Sequence, residues 1–212
     1  IWSVPRESTR NRGSYATPVI LGGKGTGLAR AALFSSTKHG LTALEPASGK
    51  ILWEHDLGFS FRFCATPALA GDRILAFAGA GGGGKDCALV RAPRAGETTA
   101  QEIARPRRNL PYVPCAVTIG DRFFLVSDAG IASCMNAKMG ETLRRTRLGA
   151  SFFASPVSDG KTIYVPDREG ALHSVEAADE FRGHAQLEIG APSFATPAIV
   201  ANALLVRTFD AI

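Results

Sequence analysis

The run Gly79-Ala80-Gly81-Gly82-Gly83-Gly84-Lys85-Asp86 comes nearest to a chemical motif in this chain. It fits G-x-G-x-x-G and departs from the phosphate-cradling pattern G-x-x-x-x-G-K-[ST] only at its last position. That pattern needs a hydroxyl after the lysine to hold Mg²⁺, and a helix whose N-terminus faces the phosphates. Asp86 would repel phosphate instead, and Cys87-Ala88-Leu89-Val90-Arg91 reads as a strand. The segment is expected to be a long turn between strands that binds no nucleotide. The glycine-rich stretch Gly22-Gly23-Lys24-Gly25-Thr26-Gly27 is read the same way.

Other reactive side chains are scattered. Cys64, Cys87, Cys115 and Cys134 form no CxxC pair and have no histidine at zinc spacing. Each falls in or beside an apolar run, so they are expected to be buried free thiols. His39, His55, His173 and His184 make no HExxH, and no G-x-S-x-G elbow exists. His39 before the Gly40 turn and His173 within a strand are expected to be surface or packing residues. The residues therefore nominate no catalytic, cofactor-binding or metal-ligating set.

Composition narrows the class further. With 45% hydrophobic and 20% charged residues the chain reads as globular. No apolar run approaches the ~18 residues of a membrane-spanning helix, so no transmembrane segment is expected. The net charge of +5 is modest. Its densest basic patch, Arg105-Pro106-Arg107-Arg108, lacks interleaved aromatics and is read as a solvated loop, with no nucleic-acid partner. Ile1-Trp2-Ser3-Val4-Pro5 reads as the end of a strand, which suggests a piece of a longer protein.

A repeat organises the remaining residues. Tyr15-Ala16-Thr17-Pro18-Val19, Cys64-Ala65-Thr66-Pro67-Ala68, Pro114-Cys115-Ala116-Val117, Phe153-Ala154-Ser155-Pro156-Val157 and Phe194-Ala195-Thr196-Pro197-Ala198 share a start. Taking Pro18, Pro67, Ala116, Pro156 and Pro197 as marks, the intervals are 49, 49, 40 and 41 residues. Eight residues after the mark lies the centre of an apolar run: Leu75, Phe124, Tyr164 and Leu205. In the first copy Phe34 lies sixteen on, the excess being the glycine-rich insert. A glycine follows at Gly40, Gly130 and Gly170, and a second about ten residues later at Gly49 and Gly140.

Each copy reads as β-structure. Phe123-Phe124-Leu125-Val126 and Thr162-Ile163-Tyr164-Val165 are short β-branched and aromatic runs, preceded by Gly120-Asp121 and Asp159-Gly160 turns. Ile131 to Met135 and Ala171 to Val175 supply next strands, and Lys50 to Glu54 a last one. No window keeps helical periodicity for three turns. Four short antiparallel strands per ~40 residues predict an all-β fold, a β-propeller of four-stranded blades that bury their faces against neighbouring blades. The expected layout is a single region with a blade tail at 1–14 and blades at about 15–63, 64–112, 113–152 and 153–193. A partial blade covers 194–212. A ring of seven or eight blades needs about 300 residues at ~40 each, so this one is expected to be incomplete.

The segment Leu41-Thr42-Ala43-Leu44-Glu45-Pro46-Ala47-Ser48-Gly49-Lys50-Ile51-Leu52-Trp53 resembles the signature of pyrroloquinoline-quinone-like (PQQ-like) repeats. That signature runs Ala-Leu-Asp, a short turn, Thr-Gly, and then Trp; Glu45 and Ser48 are chemically close replacements. The resemblance implies that Trp53 docks between blades and that Gly49 permits the reversal before it. The third copy keeps Asn136-Ala137-Lys138-Met139-Gly140-Glu141 but has Arg144 in the tryptophan position. The fourth ends in Glu176-Ala177-Ala178-Asp179 without the glycine, and the copy after Pro67 matches only at Gly96.

The resemblance also sets the functional expectations. The leading one is a non-enzymatic, protein-binding scaffold of the periplasm or bacterial cell envelope, similar to the scaffold lipoprotein of outer-membrane protein assembly. Its partners would be other envelope proteins and the remaining blades of the same propeller, and no cofactor is expected. The alternatives are a piece of a PQQ-dependent alcohol or sugar dehydrogenase, which would carry the quinone and calcium, and a sensor propeller fused to a domain such as a kinase. The vicinal Cys-Cys that many such dehydrogenases show is missing from the sequence.

Overall fold

The computed structural model describes residues 2–6, 13–23, 26–81, 83–179, 181 and 183–212, and every regular element in them is a β-strand. None of the described residues forms a helix long and apolar enough to cross a membrane. The chain divides into two compact units, residues 1–107 with 138–140 and residues 108–137 with 141–212.

The first unit holds two four-stranded antiparallel sheets. One is β1 (Val19–Gly23), β2 (Leu28–Ser36), β3 (Gly40–Leu44) and β4 (Ile51–His55), in that order. The other is β5 (Ala68–Ala70), β6 (Arg73–Gly79), β7 (Lys85–Arg91) and β8 (Gln101–Ala104). The two sheets share one core, in which Leu33 and Leu41 of the first meet Ile74 and Val90 of the second, with Phe59 and Phe63 between them in the chain. The Phe59 and Phe63 rings stack at 5.6 Å. Strand β6 reads almost wholly buried, as a strand covered on both faces should.

The second unit repeats the pattern. Strands β9 (Val117–Ile119), β10 (Arg122–Val126), β11 (Ile131–Asn136) and β12 (Thr142–Arg147) form one sheet. Strands β13 (Val157–Ser158), β14 (Thr162–Pro166), β15 (Ala171–Glu176) and β16 (Ala185–Glu188) form the next. A two-stranded sheet of β17 (Ala198–Val200) and β18 (Ala203–Leu205) follows. Val126, Val165 and Val175 join Leu148 and Phe152 in a core.

All five register marks stand one residue before the first strand of a sheet: Pro18 before β1, Pro67 before β5, Ala116 before β9, Pro156 before β13 and Pro197 before β17. Proline has no N–H for the ladder, so it suits the entrance of a strand and not its middle. The ladders run Ala68↔Leu75, Val117↔Phe124, Val157↔Tyr164 and Ala198↔Leu205, which is the eight-residue offset read from the sequence. In the first sheet Val19 pairs with Leu33, not with Phe34. The two partners are 14 residues apart there against seven for Ala68 and Leu75, so the insert adds seven residues to the hairpin and not eight. Leu33 is buried there and Phe34 is exposed. The insert forms the tip of the β1–β2 hairpin, where Lys24 and Gly25 lie outside the described residues.

Candidate functional site

The signature segment folds into a closed turn. Gly49 N–H donates to Glu45 O, and Glu45 N–H to Lys50 O, both at 2.8 Å. Ser48 Oγ donates to the Glu45 carboxylate and accepts from Lys50 N–H at 3.1 Å, so the Glu and Ser replacements still close the turn. Gly49 has φ of 76°, and a Cβ there would lie 2.5 Å from the Trp2 ring. The Trp2 indole N–H donates to Pro46 O at 2.9 Å. Trp2 thus packs on the turn, whereas the resemblance gave the docking role between blades to Trp53. Trp53 itself lies in β4, half-buried against the core of the first unit.

The other marked glycines serve close approaches. Gly40, Gly130 and Gly170 each open a strand or directly precede one, with φ of 64°, 75° and 107°. A Cβ at Gly40 would lie 2.1 Å from His55 O, and one at Gly130 2.2 Å from Ala150 O. The carbonyls of Gly130 and Gly170 accept from Leu148 N–H and Ile189 N–H, both at 2.8 Å. Gly140, with φ of 74°, meets Ala104 and Leu89.

The register motif also links successive copies. Ser155 Oγ accepts from Cys115 N–H at 2.9 Å, and Thr196 Oγ1 accepts from Ser155 N–H at 3.1 Å. The hydroxyls beside Pro156 and Pro197 therefore each receive the backbone of the copy before them.

The glycine-rich run is a hairpin joining β6 to β7, with Gly82 outside the described residues. No helix follows it; Asp86 lies in β7 and accepts from Ser60 N–H at 3.4 Å. The four cysteines form no disulfide. Cys87 and Cys134 are buried, and burial pushes both thiols up, that of Cys134 to about 11. Cys64 and Cys115, expected to be buried, are only half-buried because they lie in the loops before β5 and β9. The basic patch likewise differs from a solvated loop at one residue. Arg105 pairs with Glu102, donates to Leu57 O at 2.9 Å and covers the Phe59 ring at 5.3 Å.

Two cavities carry polar groups. In the first unit, Trp2, Phe34, Lys38, His39, Thr42 and Leu44 line a space of about 410 Å³. On its wall Arg6 pairs with Glu54, and Thr42 Oγ1 donates to that carboxylate at 2.9 Å. Burial works to raise the Glu54 pKa, but the bonds from Arg6 and Thr42 and the charges of Arg6 and His39 bring it below its ordinary value.

In the second unit a cavity of about 360 Å³ is lined by Asp167, Glu169, His173, Gln186 and Glu188, among others. Asp167 and His173 are buried, with Asp167 Oδ2 2.8 Å from His173 Nε2. Asp167 Oδ1 accepts from the N–H groups of Glu169, Gly170 and Ala171 at 2.8 to 2.9 Å. Burial opposes the charge, yet the Ala171 N–H, the His173 ring and the other two N–H groups hold this carboxyl below its usual range. On its far side, His173 Nδ1 lies 3.1 Å from Nε2 of the exposed His184. Sequence spacing does not reveal this cluster. Asp167 reads as a turn residue, and His173 and His184 are joined only by the pairing of β15 with β16. Among the described residues, no group of three or more His, Cys, Asp or Glu is gathered to hold a metal ion.

No family model matches the chain, and no curated protein matches it. Among solved structures, BamB from Moraxella catarrhalis matches 90% of this chain with a TM-score of 0.65 at 14% identity. The sheets are propeller blades. The match spans 54% of the BamB chain, about half its length. Among the described residues there are four four-stranded blades and two strands of another, an incomplete propeller.

Proposed function

We propose that this chain belongs to a non-enzymatic propeller of the PQQ-like repeat type that serves as a protein-interaction scaffold in the bacterial cell envelope. The observation that carries the reading is the likeness in fold to BamB over 90% of the chain, together with the closed Glu45–Lys50 turn. Fold alone does not assign function, so the reading also leans on the kind of surface that blades present. Their hairpin loops and outer strands stand on a rigid sheet, and loops on a rigid scaffold are where binding residues concentrate. Affinity would come from such loops and edges, with an ordering cost for the glycine-rich hairpins.

In this reading the propeller holds neither pyrroloquinoline quinone nor calcium. The full-length protein, incubated with both and assayed for dye-linked alcohol oxidation, is expected to show no turnover. Photo-crosslinking from blade-loop positions in envelope extract should give one discrete polypeptide adduct, lost when the loop sequence is scrambled. Quinone-dependent turnover, or adducts indifferent to loop sequence, would overturn the reading.

A further inference from the structure

The Asp167–His173–His184 chain runs from a buried carboxylate to an exposed imidazole, and its proton positions follow from the partners. The Asp167 carboxylate, already accepting three backbone N–H groups, can only accept from His173 Nε2. Neutral His173 then carries its proton on Nε2 and offers Nδ1 as an acceptor. His184 must therefore donate through Nε2, leaving its Nδ1 as the outer end of the chain. One added proton keeps the bond between the rings, since one of the two facing nitrogens can still accept. A second proton places an N–H on both facing nitrogens, and two cations then confront each other across 3.1 Å.

We propose that Asp167, His173 and His184 form a pH-sensitive latch that holds β16 on the edge of its blade and opens when the histidine pair takes up its second proton. His184 directly precedes β16, the outermost strand of the sheet β13-β14-β15-β16. That strand is four residues long with every side chain exposed, so little apolar burial holds it in place. Its ladder to β15 begins at Ser174↔Ala185, beside the latch. Opening would free β16 and leave the β15 edge unpaired, a template for an added strand.

Among the described residues, the groups facing the pair are these. Asp167 and Glu169 come from the β14–β15 turn, and Glu188 comes from β16 across the cavity. Phe152 meets His173 edge-on at 5.2 Å. The nearby Arg168 turns away, onto the Phe153 and Phe194 rings at 4.1 and 4.9 Å. Burial, followed by the neighbouring His173, lowers the His184 pKa below the ordinary imidazole value. The opened form, with an ordinary value near ~6.5, therefore binds more protons than the closed form. Closure is complete above that value and is lost as pH falls below the lowered one, where the pair takes its second proton.

Hydrogen exchange of the full chain, corrected for the intrinsic effect of pH on exchange, tests this directly. Protection of the β15–β16 amides should fall about tenfold between about pH 7 and about pH 5, while β10–β11 stays unchanged. In His184→Gln the side-chain amide still donates to His173 Nδ1 but does not titrate in this range, so protection should persist at both pH values. His184→Ala should be weakly protected at both. A wild-type profile that does not change with pH, or a His184→Gln profile that copies the wild-type fall, would overturn the latch. Neither result bears on whether the propeller is a scaffold.

Discussion

The Trp2 ring occupies the space that a side chain on Gly49 would need, 2.5 Å from the position of its Cβ. The contact explains why this turn requires glycine on two separate counts: φ is 76°, and the indole closes over the backbone. Gly49→Ala should therefore destabilise the first unit by about 2–3 kcal/mol, combining a left-handed backbone penalty with a forced shift of Trp2. Thermal unfolding followed by tryptophan fluorescence would report the loss. Emission from the folded variant should move to longer wavelength as Trp2 lifts from the turn. Unchanged stability and emission would mean that Trp2 does not dock there.

Ser155 joins the third copy to the fourth by accepting from Cys115 N–H, and the fourth to the fifth by donating its own N–H to Thr196 Oγ1. Ser155→Ala leaves the Cys115 amide without its acceptor and should cost about 1–2 kcal/mol. Ser155→Thr keeps the oxygen, as Thr196 does one copy later, and should remain within about 0.5 kcal/mol of wild type. Chemical denaturation of the three proteins would separate these outcomes.

The short turns between the first two strands of a blade hold a glycine with positive φ at Gly71 and Gly120. In the last sheet Ala201 takes that place at φ of 50°. Replacing Ala201 by glycine removes the Cβ strain of the left-handed region and should stabilise the β17–β18 hairpin by about 1 kcal/mol. Reduced amide exchange at Val200 and Ala203 is the expected sign.

Asp167 sets a second pH limb, distinct from that of the histidines. Its folded pKa is depressed, so its contribution is fully present above the ordinary carboxylate value of about 3.9 and is lost as pH falls through the folded value. Asp167→Asn should cost about 2–3 kcal/mol near neutral pH, because the His173 ring and the three backbone N–H groups lose a buried charged acceptor. Its stability should also vary less below about pH 4 than that of the wild type. Denaturation midpoints across that range would test both statements.

Much of the architecture was legible because the blade is a local, repeated unit. The prolines marked strand entrances, Gly40, Gly49, Gly130 and Gly170 marked positive φ, and the eight-residue offset gave the ladder in four sheets. The offset slipped in the first sheet because residue counting does not show where the glycine-rich insert ends and β2 begins, and Leu33 took the paired place from Phe34. The Asp167–His173–His184 chain was not legible for another reason. Each of its members has an ordinary local role, in a turn, a strand and a connection, and only the pairing of β15 with β16 brings them together. The docking of Trp2 was hidden similarly, since a terminal tryptophan carries no repeat context on its N-terminal side.

Native mass spectrometry of the full-length protein, released gently from envelope membranes, tests the central claim most directly. A scaffold propeller predicts a species carrying a bound polypeptide, with no added mass of pyrroloquinoline quinone or calcium. A protein that emerges alone with one quinone and one calcium ion would contradict the account and identify a dehydrogenase.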